Sequence, residues 1–190
     1  MIHRITVPIY VFLVFLSFST LSYADTSLKV GDQIPSNLVL SDQFGEEKTI
    51  QSTLGDKGAV LVFVRSADWC PFCKAQLIDF RNNLTEFKDQ GFSVVSISYD
   101  SQQKLMKFEK KHQPEFTLLS DPNSEAIKAF GIFDDSQREG SFSYGIPEPS
   151  IFIVDRLGNI KAILAEESYK ERPQIKSVME EVMKITQNNL

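Results

Sequence analysis

Cysteine is almost absent from this chain, and what there is sits together. Among 190 residues there are two, Cys70 and Cys73, with only Pro71 and Phe72 between them. A pair this sparse excludes a multi-disulfide scaffold. A bridge between the two closes a tiny loop, worth roughly 2 kcal/mol at best in chain entropy, so a structural staple is a poor use for them. Histidine is scarce too, with only His3 and His112. A structural zinc site needs four ligands, and no second cysteine pair exists to complete one; two thiolates could still hold copper(I). His112 stands in a lysine-rich helix end, where solvation is its expected state. Basic excess is also missing. Twenty Lys and Arg against 25 Asp and Glu give a net charge of −5, which argues against nucleic acid or an acidic membrane as partner. The chain has no internal repeat and no low-complexity segment.

Long apolar runs are equally rare, and the one present lies at the start. Residues 1–24 read MIHRITVPIYVFLVFLSFSTLSYA. His3 and Arg4 form a short basic region, and Ile5 to Phe18 is almost continuously apolar. Ser22 and Ala24 are small residues at the two positions a signal peptidase reads. This is the layout of a secretory signal cleaved after Ala24. The run is short for a spanning helix, which needs roughly 20 apolar residues, and no cysteine follows it to accept a lipid. The expectation is an exported protein, periplasmic or extracellular, with no stable membrane insertion after cleavage and one domain over residues 25–190. Removing residues 1–24, with their single formal charge on Arg4, takes the net charge from −5 to −6.

The mature segment alternates strand and helix signals. LKVGDQIPSNLVLSDQFGEEKTI reads as two short strands or a hairpin. Ala59 to Val64 is a β-branched apolar run and reads as a buried central strand. From Pro71 the pattern turns helical, through Phe72, Leu77, Phe80, Leu84 and Phe87, and stops at Gly91. Phe92 to Asp100 is a second strand. A helix follows from Ser101 to before Pro114, then the short strand FTLLSD. The next helix, SEAIKAFGI, has Ser124 or Asn123 as its cap. SIFIVDRLGNIKAILA is a hairpin around DRLGN. The last helix starts near Pro173 and carries Ile175, Val178, Val182 and Ile185 on one side. Alternating elements argue for parallel pairing through crossovers, and the late hairpin must be antiparallel. The result is a mixed sheet with helices on both faces.

Cys70 falls between a buried strand and a helix. Pro71 takes a first-turn position, where its missing N–H costs nothing. The Cys70 sulfur then faces the unsatisfied N–H groups at the positive end of a helix dipole. A thiolate is stabilised there, so its pKa should fall below the reference of about 8.5. Cys73 comes about one turn later, more enclosed but within reach. One exposed, low-pKa thiol with one resolving thiol is what thiol–disulfide exchange needs. Trp69 supplies an apolar wall beside the sulfur, or simply part of the core.

WCPFC after a hydrophobic strand resembles the active site of the thioredoxin superfamily. PSIFIVDRLGNI, starting at Pro149, is similar to the proline-plus-strand element in which family members hold a cis-proline facing the CxxC; Pro147 is the competing candidate. The spacing between the cysteines and Pro149, and the opening VGDQIPSNLVLSDQFGEEKTI, resemble the redoxin or AhpC/TSA group. That group includes peroxiredoxins and exported thioredoxin-like reductases. The resemblance implies an α/β, thioredoxin-like three-layer fold: a mixed central sheet flanked by helices, with an N-terminal β extension. It implies a thiol–disulfide oxidoreductase with Cys70 as nucleophile and Cys73 as resolving thiol, forming a redox-active disulfide. Trp69, Pro71, Phe72, Glu148 and Pro149 would shape the substrate surface. The implied partners are a disulfide-containing protein or small thiol and a membrane or soluble thiol electron donor, with no metal or other cofactor.

Departures from the pattern bear on which reaction. A peroxiredoxin carries proline and threonine seven and three positions before its peroxide-attacking cysteine; here those positions hold Phe63 and Ala67. It also uses an arginine near the later strand, where this chain has Pro149 and Ser150. Arg65 is nearby, with its side-chain direction left open by the sequence. Peroxide reduction at Cys70 is therefore the alternative to disulfide exchange. The buried acid six positions before the first cysteine of thioredoxin is Val64 here, and Glu148 or Asp68 are the candidate proton acceptors for Cys73.

Overall fold

A computed structural model describes residues 27–187, and every structural statement below concerns those residues. The segment read as a secretory signal lies outside them. Seven strands form one sheet: β1 (Val39–Asp42), β2 (Glu47–Thr49), β3 (Gly58–Phe63), β4 (Phe92–Ser98), β5 (Thr117–Ser120), β6 (Ser150–Asp155) and β7 (Ile160–Ala165). Their spatial order is β2-β1-β5-β4-β3-β6-β7. β3, β4 and β5 run parallel, and all other neighbours are antiparallel. The N-terminal hairpin thus extends the main sheet beyond β5. Its turn is held by Asp42, whose carboxylate accepts from the N–H groups of Phe44 and Glu46 at 2.9 Å each.

Five helices complete the fold: α1 (Pro71–Asn82), α2 (Leu84–Asp89), α3 (Gln102–His112), α4 (Glu125–Ala129) and α5 (Ile175–Gln187). β3 is buried on both faces, and its side chains alternate between two cores. Val60, Val62 and Val64 pack with Leu77, Phe80, Phe87, Leu105 and Val182 from α1, α2, α3 and α5. Ala59, Leu61 and Phe63 pack with Ile127 and Phe130 around α4 and with Ile34 and Leu40 from the N-terminal extension. Gly58 opens β3 because nothing larger fits: a Cβ there would lie 2.0 Å from the Val154 carbonyl oxygen.

The single helix expected from Pro71 to Gly91 is broken at Asn83. Its backbone leaves helical geometry (φ −112°, ψ 13°), and its side-chain amide donates to the Asp79 carbonyl at 2.8 Å. That local bond competes with helix continuation. Gly91 does end the segment, at φ +81°. Ser124 holds the N-cap position of α4, as expected, but its hydroxyl donates to the Gly145 carbonyl and makes no capping bond. The capping side chain is Asp121, which accepts from the N–H groups of Glu125 and Ile127. His112 is half-buried rather than solvated, with its ring 4.6 Å from Phe108. Burial lowers its pKa, and the cations Lys111, Arg81 and Lys74 push the same way.

Candidate active site

The site forms at one end of the inner strands of the sheet, where several chain segments converge. Ser150 at the start of β6 lies opposite Phe63 at the end of β3. Ile97 near the end of β4 is Phe63's partner on the other side, and Ala165 at the end of β7 lies opposite Ser150. The loops leaving these ends are Val64–Trp69, Tyr99–Asp100, Glu148–Pro149 and the segment 166–174 before α5. Cys70 sits at the tip of the first loop as the N-cap of α1, with Pro71 at the first helical position.

The cysteines are joined as a disulfide, with their Cα atoms 5.3 Å apart. Cys70 Sγ accepts the Cys73 backbone N–H at 3.2 Å. The sulfur thus takes the role a serine or aspartate oxygen plays at other helix starts. On reduction the same N–H and the helix dipole favour the Cys70 thiolate. The expected exposure of Cys70 is corrected: it is only 2% exposed, and Cys73 is fully buried. Both sulfurs belong to the core cluster around Val64 and Leu77, and Trp69 packs against that cluster.

The loop before Cys70 is pinned by Asp100, a carboxylate buried at the end of β4. It accepts from Ser66 Oγ at 2.8 Å, Ala67 N at 2.7 Å and Ser98 Oγ at 3.0 Å. Ser66 Oγ in turn accepts from the N–H groups of Asp68 and Trp69. Burial raises the Asp100 pKa, while the Ser66, Ala67 and Ser98 hydrogen bonds and the Lys104 charge draw it back. A carboxyl with a folded pKa above its unfolded value is protonated more in the folded state within that window, so its contribution to stability falls as pH rises through it. Asp100→Asn is expected to cost about 1–2 kcal/mol at neutral pH, since its amide turns one acceptor into a donor facing donors. The cost should be larger at acid pH, where the wild type recovers stability that the variant cannot. Urea denaturation of both proteins from pH 4 to pH 7 checks the sign.

Of the residues expected to shape the substrate surface, Trp69 and Phe72 flank the disulfide. Trp69 Nε1 donates to the Tyr99 hydroxyl at 2.8 Å, which donates to the Phe142 carbonyl at 2.7 Å. Phe142 meets the Trp69 ring edge-on at 5.4 Å and is 76% exposed. Phe72 is exposed and meets Tyr169 edge-on at 6.5 Å. Pro71 is exposed at the helix start. Glu148 and Pro149 stand at the right edge of the sheet, but Pro149 is not cis; no cis peptide bond occurs among the described residues. The backbone there is committed to extended pairing: Glu148 N–H donates to Ile132 O at 2.8 Å, and β6 starts at Ser150. Neither proposed proton acceptor has an observed contact with Cys73. Glu148 is exposed, and Asp68 pairs with Lys104 at 3.4 Å.

What does touch Cys73 is an arginine the sequence did not mark. Arg172 Nη2 lies 3.3 Å from Cys73 Sγ. Its other amino group donates to the carbonyls of Tyr169 and Glu171, which fixes the guanidinium within its own loop. Arg65 lies alongside, stacked over Tyr169 at 4.5 Å and Trp69 at 5.5 Å. Burial lowers the Arg172 pKa, and the like charge of Arg65 lowers it further. The Arg172 guanidinium packs against the disulfide at Cys73, and a Cys73 thiolate would be an anion it favours. No signal in the sequence links Arg172 to Cys73 across 99 positions. Asp100 left a faint one, as an acid ending a strand next to the cysteine strand. Among the described residues no three His, Cys, Asp or Glu side chains gather as metal ligands.

Comparison with known proteins agrees with this architecture. The AhpC/TSA family model matches residues 30–163. A putative peroxiredoxin of Mycobacterium tuberculosis is 36% identical over 135 residues, covering 71% of this chain and 83% of that protein. Peroxiredoxin Bcp of Escherichia coli is 34% identical over 136 residues, covering 72% of this chain and 85% of that one. The crystal structure of peroxidoxin BcpB from Mycobacterium tuberculosis superposes with a TM-score of 0.68 at 24% identity, over 84% of this chain and 97% of that one. At that identity the match speaks for the fold.

Proposed function

This chain belongs to the AhpC/TSA family and is a thiol-dependent oxidoreductase, and from that premise we propose that it reduces hydroperoxides with Cys70 and restores itself through Cys73. The Cys70 thiolate attacks the distal oxygen of the hydroperoxide; the O–O bond breaks, the alkoxide or hydroxide takes a proton, and Cys70 becomes a sulfenic acid. Cys73 attacks that sulfur, water leaves, and the disulfide forms. Two external thiols then return the pair to the dithiol. The relatives reverse the order of preference read from the residues alone, where disulfide exchange came first. The observation that supports the reading is Cys70 at the N-cap of α1, its sulfur accepting the Cys73 N–H, with the Arg172 guanidinium 3.3 Å from Cys73 Sγ. Arg172 offers a cationic hydrogen-bond donor at the dithiol, where Pro149 and Ser150 offer none.

Disulfide exchange stands as the second reading, favoured by Phe63 and Ala67 at the positions where a peroxiredoxin carries proline and threonine. The two are separated by comparing hydrogen peroxide consumption with insulin reduction in one preparation, both with dithiothreitol as donor. Peroxide turnover that exceeds insulin reduction supports the peroxidase. Insulin reduction with no peroxide turnover overturns it. Export is part of the proposal, supported by the layout of residues 1–24; a secreted product beginning at Asp25, read by N-terminal sequencing, is the expected outcome. The electron donor is a thiol.

A further inference from the structure

Cys70 accepts the Cys73 N–H only if the loop before it ends at the start of α1 in one particular direction. We propose that Ser66, held by Asp100, is the positioning residue for Cys70: the pair shapes residues 66–69 so that the sulfur meets that N–H. The inference rests on Cys70 as the nucleophile, whether its oxidant is a hydroperoxide or a disulfide. Sheet pairing holds the chain as far as Val64, whose N–H donates to Ile97 O at 3.0 Å. From Ser66 onward side chains take over.

Both residues are buried, Ser66 fully and Asp100 to 1% exposure. The Ser66 hydroxyl donates to Asp100 Oδ1 at 2.8 Å. It accepts from the N–H groups of Asp68 at 3.0 Å and Trp69 at 3.2 Å. A hydroxyl has one proton to give and two lone pairs, so its whole capacity is used within the loop. It has nothing left for a substrate, and Ala67, the next residue, carries no hydroxyl. Asp100 Oδ2 takes the Ala67 N–H at 2.7 Å and the Ser98 hydroxyl at 3.0 Å. Four consecutive residues, Ser66 to Trp69, are therefore tied directly or through one oxygen to a single carboxylate just beyond β4. Lys74 Nζ donates to Asp68 O at 2.9 Å, which joins the same turn to α1.

A serine oxygen that accepts from the N–H groups two and three residues ahead offers the backbone a tight local turn. The Trp69 N–H is the last one before that of Cys70, so this bond fixes the direction in which the chain enters the helix. Cys70 then holds φ −86° and ψ 110°, the extended backbone of an N-cap. Its sulfur accepts the Cys73 N–H at 3.2 Å. Without Ser66 Oγ two N–H groups in the loop lose their acceptor and Asp100 loses a donor. The loop then samples other turns, and the sulfur spends less of its time at the Cys73 N–H. A thiolate there loses part of its stabilisation.

The test follows alkylation of Cys70 by iodoacetamide against pH in the fully reduced mature chain, with the labelled cysteine identified by peptide mass mapping. Ser66→Ala removes no charge and no part of the dithiol. The pH of half-maximal rate should rise by about one unit, the effect of roughly one hydrogen bond. Alkylation below that pH should slow about tenfold, because only the thiolate reacts. Ser120→Ala is the control. Ser120 is buried and its hydroxyl donates to the Asp100 carbonyl at 2.7 Å, away from the loop, so its profile should match the wild type. Three results overturn the proposal: an unmoved profile in Ser66→Ala, faster alkylation at every pH, as simple loosening of the fold would give, or an equal shift in Ser120→Ala. Alkylation needs no peroxide, so this outcome is separate from the choice of oxidant. A shifted profile without peroxide turnover supports the positioning role and refutes the peroxidase; peroxide turnover with an unmoved profile refutes the positioning role alone.

Discussion

Replacing Cys70 by serine should abolish hydroperoxide consumption, a fall of about a thousandfold or more, as expected when the nucleophile itself is lost. The hydroxyl stays at the N-cap and accepts the same N–H, so α1 should keep its start. What disappears is a sulfur whose thiolate form the Cys73 N–H and the helix start favour. Cys73 cannot take over: it is fully buried and lies inside α1 rather than at its N-cap. Cys73→Ser should behave differently. One equivalent of peroxide is still consumed, because Cys70 remains, but the sulfenic acid has no internal partner and accumulates. Rapid mixing with one equivalent of hydroperoxide, followed by a sulfenic-acid-specific reagent, reads both outcomes. Peroxide turnover by Cys70→Ser, or loss of the first equivalent in Cys73→Ser, contradicts the assignment of roles.

Arg172→Met is expected to make the disulfide harder to reduce. In the oxidised state the guanidinium meets a neutral sulfur, a weak acceptor. After reduction it meets a thiolate, and a charge-assisted bond of this kind is worth about 1.5–3 kcal/mol. Removing it destabilises the reduced form more than the oxidised one. The midpoint potential should therefore move about 30–60 mV more negative, on the scale where 30 mV is close to 1.4 kcal/mol for two electrons. Methionine fills similar volume without the charge, and it relieves the repulsion between Arg172 and Arg65. Equilibration in thiol–disulfide buffers, followed by Trp69 fluorescence, gives the potential. An unchanged or more positive value would mean that Arg172 packs beside Cys73 without acting on its charge.

The order of elements was legible because hydrophobic period and turn residues carry it locally. β3 reads as a β-branched run, the DRLGN turn is closed by Asp155 accepting from Leu157 and Asn159 N–H, and α5 shows its buried stripe. Local chemistry also placed Cys70: a buried strand followed by Cys-Pro puts a sulfur at a helix start. What failed was long-range or balanced between close alternatives. The break at Asn83 turns on one side-chain hydrogen bond competing with a helical one. Ser124 keeps the N-cap position of α4, but Asp121 supplies the capping side chain because the tertiary contact to Gly145 claims the serine hydroxyl. The isomer of Pro149 depends on strand pairing to distant residues, which no local pattern reports. Arg172 and Tyr169 lie in a loop with no periodicity, and only the return of β7 to the sheet edge brings them over the cysteines.

The relatives and the residues pull on the same pair from two sides. Family membership speaks for peroxide, while Phe63 and Ala67 speak for disulfides. Both reactions end in the same Cys70–Cys73 disulfide, so the direct question is which oxidant forms it. Fully reduced mature protein is mixed with one equivalent of hydroperoxide, and the intact mass is followed with Trp69 fluorescence. The expected result is rapid loss of two hydrogen atoms per chain, with a coincident fluorescence change and a single Cys70–Cys73 disulfide in the peptide map. A dithiol that stays reduced in peroxide, yet oxidises at once when given a protein disulfide, contradicts the peroxidase account.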